Sequence, residues 1–298
     1  MKGYYHWCCK GLQRELLFSN QDEFIAGMNR IAVCYLYCLN MGKPVRILAF
    51  CLLNNHFHFV LYGEEEDTAL FMEHYRFLTA KWIRSHRGER LHESIDLGHW
   101  PATSQEVVRN KVVYTLRQIL ETGVQLTPHG YRWCSARLLF SDKSLFPLSR
   151  KVGELSTRAI QKLTYSEVEI PASWSLLTDG TIWPGDYTEV KGCERLFSGV
   201  KDYMFCMNNG NIDKTVNAEM MGEFPSIPDT EIKDKADDLA RKLYVKNVVG
   251  NCSAEERLVI ARYLRKDLHC SHKQLARIVK MDENYLRKLM CALFVGRI

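Results

Sequence analysis

The stretch that most constrains this chain is Leu52-Leu53-Asn54-Asn55-His56-Phe57-His58-Phe59-Val60-Leu61-Tyr62. Its aromatic and β-branched residues alternate with a period of two, the pattern of a half-buried strand in which residues two apart share a face. His56 and His58 therefore fall on one side, and Phe57, Phe59 and Leu61 fall on the side that a packed sheet would bury. Paired imidazoles on a rigid strand suit a divalent metal, because neutral imidazole ligates when a neighbour holds its second ring nitrogen. A His-x-His pair is also common on ordinary strand surfaces, so a second element has to decide between the two.

At 298 residues with 46% hydrophobic content, the chain is long enough for about two domains with real cores. A formal net charge of +5 permits a polyanionic partner without demanding one. The eleven cysteines are scattered, no Cys-x-x-Cys occurs and no signal-like segment precedes them, which predicts reduced thiols in a cytoplasmic protein. Cys34 and Cys38, four apart on an expected helix, look like packing residues. No run approaches the ~20 apolar residues of a membrane span, so a soluble protein without a membrane partner is expected.

Taken in order, Tyr4 to Lys10 reads as a strand and Gln21 to Leu39 as an amphipathic helix stopped at Asn40-Met41-Gly42. Val45 to Leu53 reads as a strand joined to the histidine strand by a tight Asn54-Asn55 turn. A second helix is expected over about Glu66 to His86, followed by a short strand near Ile95 to Trp100. The order strand, helix, strand, strand, helix, strand predicts an α+β fold, a ferredoxin-like antiparallel sheet with one open face. After Pro101, Ser104 can cap a helix running to about Thr122 and ended by Gly123. Tyr114 and Gln118, four apart, share a face of that helix, while Val108, Val112, Thr115 and Ile119 follow a neighbouring face.

These motifs together resemble the single-tyrosine HUH transposases, and among them the REP-associated tyrosine transposases. That family pairs a ferredoxin-like core and a His-hydrophobic-His strand with a tyrosine on a later helix and a ligating polar side chain one turn beyond it. His56-Phe57-His58, Tyr114 and Gln118 match in type, order and spacing, and Tyr131-Arg132-Trp133-Cys134-Ser135-Ala136-Arg137 resembles the segment after that helix. This chain has Asn54-Asn55 where the family commonly has Pro-Asn, and Gln118-Ile119 where it commonly has Asn-Pro. The resemblance covers residues 1 to 145 and implies a catalytic domain of that extent. It implies Tyr114 as nucleophile, His56, His58 and Gln118 as ligands of Mg²⁺ or Mn²⁺, and a 5′-phosphotyrosine intermediate. Single-stranded DNA with hairpin or repeat structure would be the partner, and relatives act as monomers or as dimers that exchange the tyrosine helix.

Candidate DNA contacts are Arg76, Lys81, Arg84 and Arg87 on the second helix, and Arg109, Lys111 and Arg117 around the tyrosine, with aromatic residues interleaved. Cations on phosphate and rings on bases are the two devices that hold single strands. A solvated helix face is the plainer account of each cation taken singly. No Gly-x-x-x-x-Gly-Lys phosphate loop occurs.

Residues 146 to 235 read as a connecting, mostly helical segment. It has a helix at Leu155 to Lys162, a turn at Thr178-Asp179-Gly180, a helix over Cys193 to Asn208 and a linker from Asn217 to Asp234. Residues 236 to 298 change character. Ser253 with Glu256 forms a capping box, and Ser271 to Val279 followed by Asp282 to Cys291 reads as a helix-turn-helix. It resembles the C-terminal DNA-binding domain of the chromosomal replication initiator. That resemblance implies contacts to duplex DNA from Lys273, Asn284, Tyr285, Arg287 and Lys288. A plain helical bundle accounts for the same pattern. Two other functional readings compete with the transposase: a domesticated DNA-binding regulator that no longer cleaves, and a metal-dependent hydrolase in which Tyr114 only orients water.

Overall fold

Four strands and two helices make the core of the first unit. They are β1 (Lys2–Cys9), α1 (Gln21–Asn40), β2 (Arg46–Leu52), β3 (Phe57–Glu64), α2 (Glu65–Arg87) and β4 (Leu97–Ala102). The computed structural model describes residues 2–12, 15–88, 90–122, 127–209, 229–268, 270 and 272–291. The sheet is antiparallel throughout, in the order β2-β3-β1-β4, so the element order expected from sequence closes into the split arrangement with β1 beside β3.

Local chemistry accounts for the helix ends. Asn20 caps α1 through a bond from the Glu23 amide at 3.0 Å, and the Glu23 carboxylate returns to the Ser19 amide and hydroxyl. Glu65, Glu66 and Asp67 open α2 where the helix dipole favours negative charge, and Gly88, at φ 73°, ends it in the left-handed region. Ser104 caps α3 (Gln105–Arg117) as expected, and the chain continues to Thr122 as a 3₁₀ turn. Gly123, the expected terminator, lies outside the described residues.

The alternation in β3 sorts the two layers. Phe57, Phe59 and Leu61 enter one core with Phe71 and Tyr75 of α2 and Met28 and Ile31 of α1. The opposite face carries His6 and His58 and is covered by α3. The expectation of an open sheet face is therefore corrected: β3 is buried on both sides from Phe57 to Leu61. The outer edge of β2 is closed as well. The Trp133 carbonyl accepts from the Leu52 amide at 2.9 Å, the Tyr131 hydroxyl donates to the Leu52 carbonyl at 2.8 Å, and the Ser135 hydroxyl accepts from the Phe50 amide at 2.9 Å. The segment 131–137 thus occupies an edge that would otherwise present unpaired backbone.

The first unit does not end at residue 145. It runs to Asn209, taking in β5 (Leu148–Lys151), α4 (Thr157–Thr164), β6 (Ser175–Leu177), α5 (Val190–Glu194) and α6 (Val200–Asn208). Val152, Ile170, Leu176, Ile182 and Tyr187 belong to the same apolar core as α1, so residues 146–209 are part of the domain rather than a connector. Asn29, fully buried on α1, donates to the carbonyls of Leu163 and Gly180 and accepts from the Ile182 amide. The single helix expected over Cys193 to Asn208 is two helices, because Gly199, at φ 152°, turns the chain between them.

The second unit contains α7 (Asp229–Tyr244), α8 (Ala254–Leu268), α9 (His272–Val279) and α10 (Glu283–Cys291). The expected linker end at 229–234 is instead the first turns of α7, where Ile232, Ala236 and Ala240 form a buried stripe at intervals of four. Residues 217–228 of that linker lie outside the described residues. Ser253 and Glu256 form the expected capping box. Leu264, Leu275, Val279 and Leu286 join α8, α9 and α10 around one core. The ten cysteines whose side chains are described are free, buried thiols, and among the described residues no helix is long and apolar enough to cross a membrane.

Candidate functional site

The register Cys8↔His58 between β1 and β3 makes His6 and His58 diagonal neighbours on the face beneath α3. His6 Nε2 and His58 Nδ1 lie 3.1 Å apart, with the rings stacked at 5.3 Å and 13°. The Tyr114 ring sits edge-on to both, its centroid 5.6 Å from each. His56 precedes β3, in the turn 53–56 rather than on the strand, and its ring lies 5.1 Å from that of His58. Gln118, one turn after Tyr114, is close enough to His56 to oppose the effect of burial on its imidazole, and its Nε2 donates to the Tyr114 carbonyl at 3.3 Å. The structure thus brings together the four residues that the sequence pattern singled out, and adds His6.

Neighbouring groups fix the imidazoles. Asn55 commits its Nδ2 to the Leu12 carbonyl at 2.9 Å, which turns its Oδ1 toward His56 Nδ1 at 2.8 Å. A carbonyl oxygen only accepts, so Nδ1 carries the proton and Nε2 keeps the lone pair. Burial pushes all three imidazoles down. His6 falls to about 3, with the Lys111 ammonium adding to the effect. His58 falls well below the ordinary value through burial and its two histidine neighbours, and His56 falls through burial against the opposing pull of Gln118. Near neutral pH the rings are uncharged, the state in which they accept protons or ligate metal.

Lys111, 1% exposed, lies three residues before Tyr114 on α3 and acts electrostatically on His6. Tyr114 and Gln118 are 4% and 3% exposed, so both side chains are covered in this structure.

A metal finds an incomplete protein shell here. Among the described residues no group of three or more His, Cys, Asp or Glu side chains is placed to hold an ion. The donor set is two neutral imidazoles and one amide. That set suits an ion which takes its remaining ligands from phosphate oxygens and water. The single protonated nitrogen of His56, tied to Asn55, is the arrangement that a ligating imidazole requires.

The cations expected to contact DNA divide into separate groups. Arg76, Lys81 and Arg84 belong to α2, on the opposite side of the sheet from Tyr114, and Arg87 is bound to Glu23. Arg109 pairs with Asp202 at 3.9 Å, and the buried Arg117 guanidinium donates to the Met207 carbonyl, so both fasten α6 to α3. Only Lys111 stays with the histidines. In the second unit, Asn284, Tyr285 and Lys288 are exposed on α10, while the side chains of Lys273 and Arg287 lie outside the described residues. His6 was missed by the sequence reading. Its signal is the alternation Tyr4-His6-Cys8 against Tyr5-Trp7-Cys9, which becomes informative once β1 is known to pair with β3.

No family model and no curated protein matches this sequence. Among solved structures, a REP-associated tyrosine transposase bound to a REP hairpin is similar at a TM-score of 0.34 and 12% identity, over 57% of this chain and 90% of that chain. A likeness of this size assigns no activity, and the functional reading rests on the side-chain geometry.

Proposed function

We propose that the chain is a DNA strand transferase of the single-tyrosine HUH kind, with Tyr114 as nucleophile and single-stranded DNA as substrate. The observation that carries the reading is the convergence of the Tyr114, His58 and His56 rings beneath α3, with Gln118 one turn beyond the tyrosine. Attack of the Tyr114 phenolic oxygen on the scissile phosphorus forms a 5′-phosphotyrosine and breaks the P–O3′ bond, and the phenolic proton ends on the released 3′-oxygen. One phosphoester replaces another, so the step reverses onto a second 3′-OH without an external energy source.

Mg²⁺ or Mn²⁺, held by His56, His58 and Gln118, would supply charge stabilisation at the non-bridging oxygens. The chain's own residues do the rest. Asn55 and His6 orient the two ring nitrogens, Gln118 is fixed to the Tyr114 carbonyl, and Lys111 contributes positive charge beside His6. In the second unit, α9 and α10 form a helix-turn-helix in this reading. The Asp282 side chain caps α10 through the Tyr285 amide at 2.9 Å, and the exposed Asn284, Tyr285 and Lys288 face a DNA groove.

The test is a denaturing gel after incubation of the full chain with labelled single-stranded DNA from its own flanking sequences, with Mg²⁺ or Mn²⁺. A covalent protein–DNA band that disappears in Tyr114→Phe and in His56→Ala is expected. Cleavage without a band supports the hydrolase. Tight binding with neither supports the non-cleaving regulator.

A further inference from the structure

The cations of α2 that the fold separates from Tyr114 make a feature of their own. Where the chain leaves α2 and returns toward β4, a cleft of about 610 Å³ opens between the helix and residues 90–95. Its walls carry Phe77, Lys81, Arg84 and Arg90, and its apolar side is Ala80, Leu91 and Ile95. Phe77 is 60% exposed, an aromatic ring left in solvent at a concave surface. Arg76 is tied to Glu73, whereas Lys81, Arg84 and Arg90 form no ion pair with a described residue. Among the described residues, Glu93 is the one carboxylate lining the cleft.

We propose that this cleft is a second binding site for single-stranded DNA, in which a base stacks on Phe77 and the flanking phosphates lie on Lys81, Arg84 and Arg90. The charge excess selects a polyanion, and the open ring selects one whose bases are unstacked, because a duplex keeps its base faces inside. The site lies on the helical layer opposite the tyrosine, so it holds a stretch of strand that is not being cut. It rests on the reading of the chain as a DNA-processing protein for the identity of the polymer, and on the cleft alone for its location.

The experiment uses the full chain carrying Tyr114→Phe, a fluorescein-labelled oligothymidylate and fluorescence polarisation over a salt series. A second probe, the same oligomer carrying 5-iodouracil, is photo-crosslinked and mapped by mass spectrometry. Crosslinks at Phe77 are expected, with about tenfold weaker binding in Phe77→Ala. Lys81→Glu with Arg84→Glu is expected to reduce the log–log salt slope by about 1.4, two phosphate contacts at about 0.7 each. All three residues are on the surface, and an unchanged thermal melt verifies the fold of each variant. Binding within about twofold of the parent in both variants, crosslinks mapping elsewhere, or equal competition by polyglutamate would each overturn the site. The outcome is separable from the gel assay. An adduct at Tyr114 with no effect of Phe77→Ala removes the cleft and keeps the transferase, and the converse result does the reverse.

Discussion

Asn29→Ala is the perturbation that best tests whether residues 146–209 belong to the first unit. The Asn29 side chain is fully buried and serves three backbone groups at once: the Leu163 carbonyl at 3.2 Å, the Gly180 carbonyl at 3.2 Å and the Ile182 amide at 2.8 Å. These groups belong to the C-terminal end of α4 and the turn that follows β6, so one side chain joins α1 to the segment read from sequence as a connector. Leaving a buried backbone group without its partner costs about 1–3 kcal/mol. With three groups and some relaxation, the expected loss is about 3–5 kcal/mol, in the range where a single substitution is diagnostic. For a unit of this size each kcal/mol moves the melting midpoint by about 2–4 °C, so a fall of about 6–20 °C is expected. Asn29→Asp separates hydrogen bonding from packing. It keeps the shape and the acceptor for Ile182 but turns an acceptor toward two carbonyls, and should be no better than alanine. The assays are thermal unfolding of the full chain and hydrogen exchange at the Ile182 amide. A midpoint within about 2 °C of the parent for Asn29→Ala, or a parent-like Asn29→Asp, would refute the account.

Four other outcomes follow from the same structure. His6→Phe removes the partner of His58 Nδ1 while keeping a ring in place, and should lower Mn²⁺ affinity, read by electron paramagnetic resonance, by about 10–100-fold. Arg117→Ala strands the Met207 carbonyl and should destabilise the first unit by about 2 kcal/mol, while the salt dependence of DNA binding stays unchanged. Burial raises the Glu23 carboxyl, but bonds from Arg87 and Ser19 outweigh that and hold it below the ordinary value of 4.5. The unfolded chain then takes up the proton first, so stability is full above about 4.5 and is lost as pH falls below it; Glu23→Gln should flatten that limb of the acid melting curve. Val245 closes α7 at φ 56° with its side chain 93% exposed, so Val245→Gly should stabilise the second unit by about 1 kcal/mol in urea titrations.

The sequence made the layers of the first unit legible because its periodicities are strong. Phe57 and Phe59 alternate against His58 with no exception, α1 stops at the Asn40-Met41-Gly42 signal, and Ser104 caps the start of α3. Less was legible where structure depends on pairing at a distance. β5 and β6 are four and three residues long and shift register between Leu148 and Arg150, which leaves no periodic signal to read. The extent of the domain was misread for a related reason. Ile170, Leu176 and Ile182 lie six residues apart, only Leu176 of them within a strand, too sparse a pattern to announce a shared core, and Asn29 looks like an ordinary polar residue on a helix until its three partners are placed around it.

The same distinction runs through the candidate site. His56, His58, Tyr114 and Gln118 each belong to a local pattern, two residues apart on a strand or four apart on a helix, so sequence alone could nominate them. His6 and the sorting of the basic residues could not be found that way, because both depend on which face of the sheet an element covers. Lys111 and Arg117 lie on one helix and carry the same charge, yet one is placed toward His6 and Cys8 while the other holds the end of α6. Arg76, Lys81 and Arg84 are set apart from Tyr114 by the thickness of the sheet. Charge counted along the chain merges these groups into one DNA surface. Charge placed on the fold separates a lysine beside His6, two arginines that fasten α6 to α3 and a basic cleft on the opposite helical layer. The Tyr114→Phe protein, which cannot form the covalent intermediate but keeps every one of these cations, is therefore the background in which their separate contributions to DNA binding can be measured.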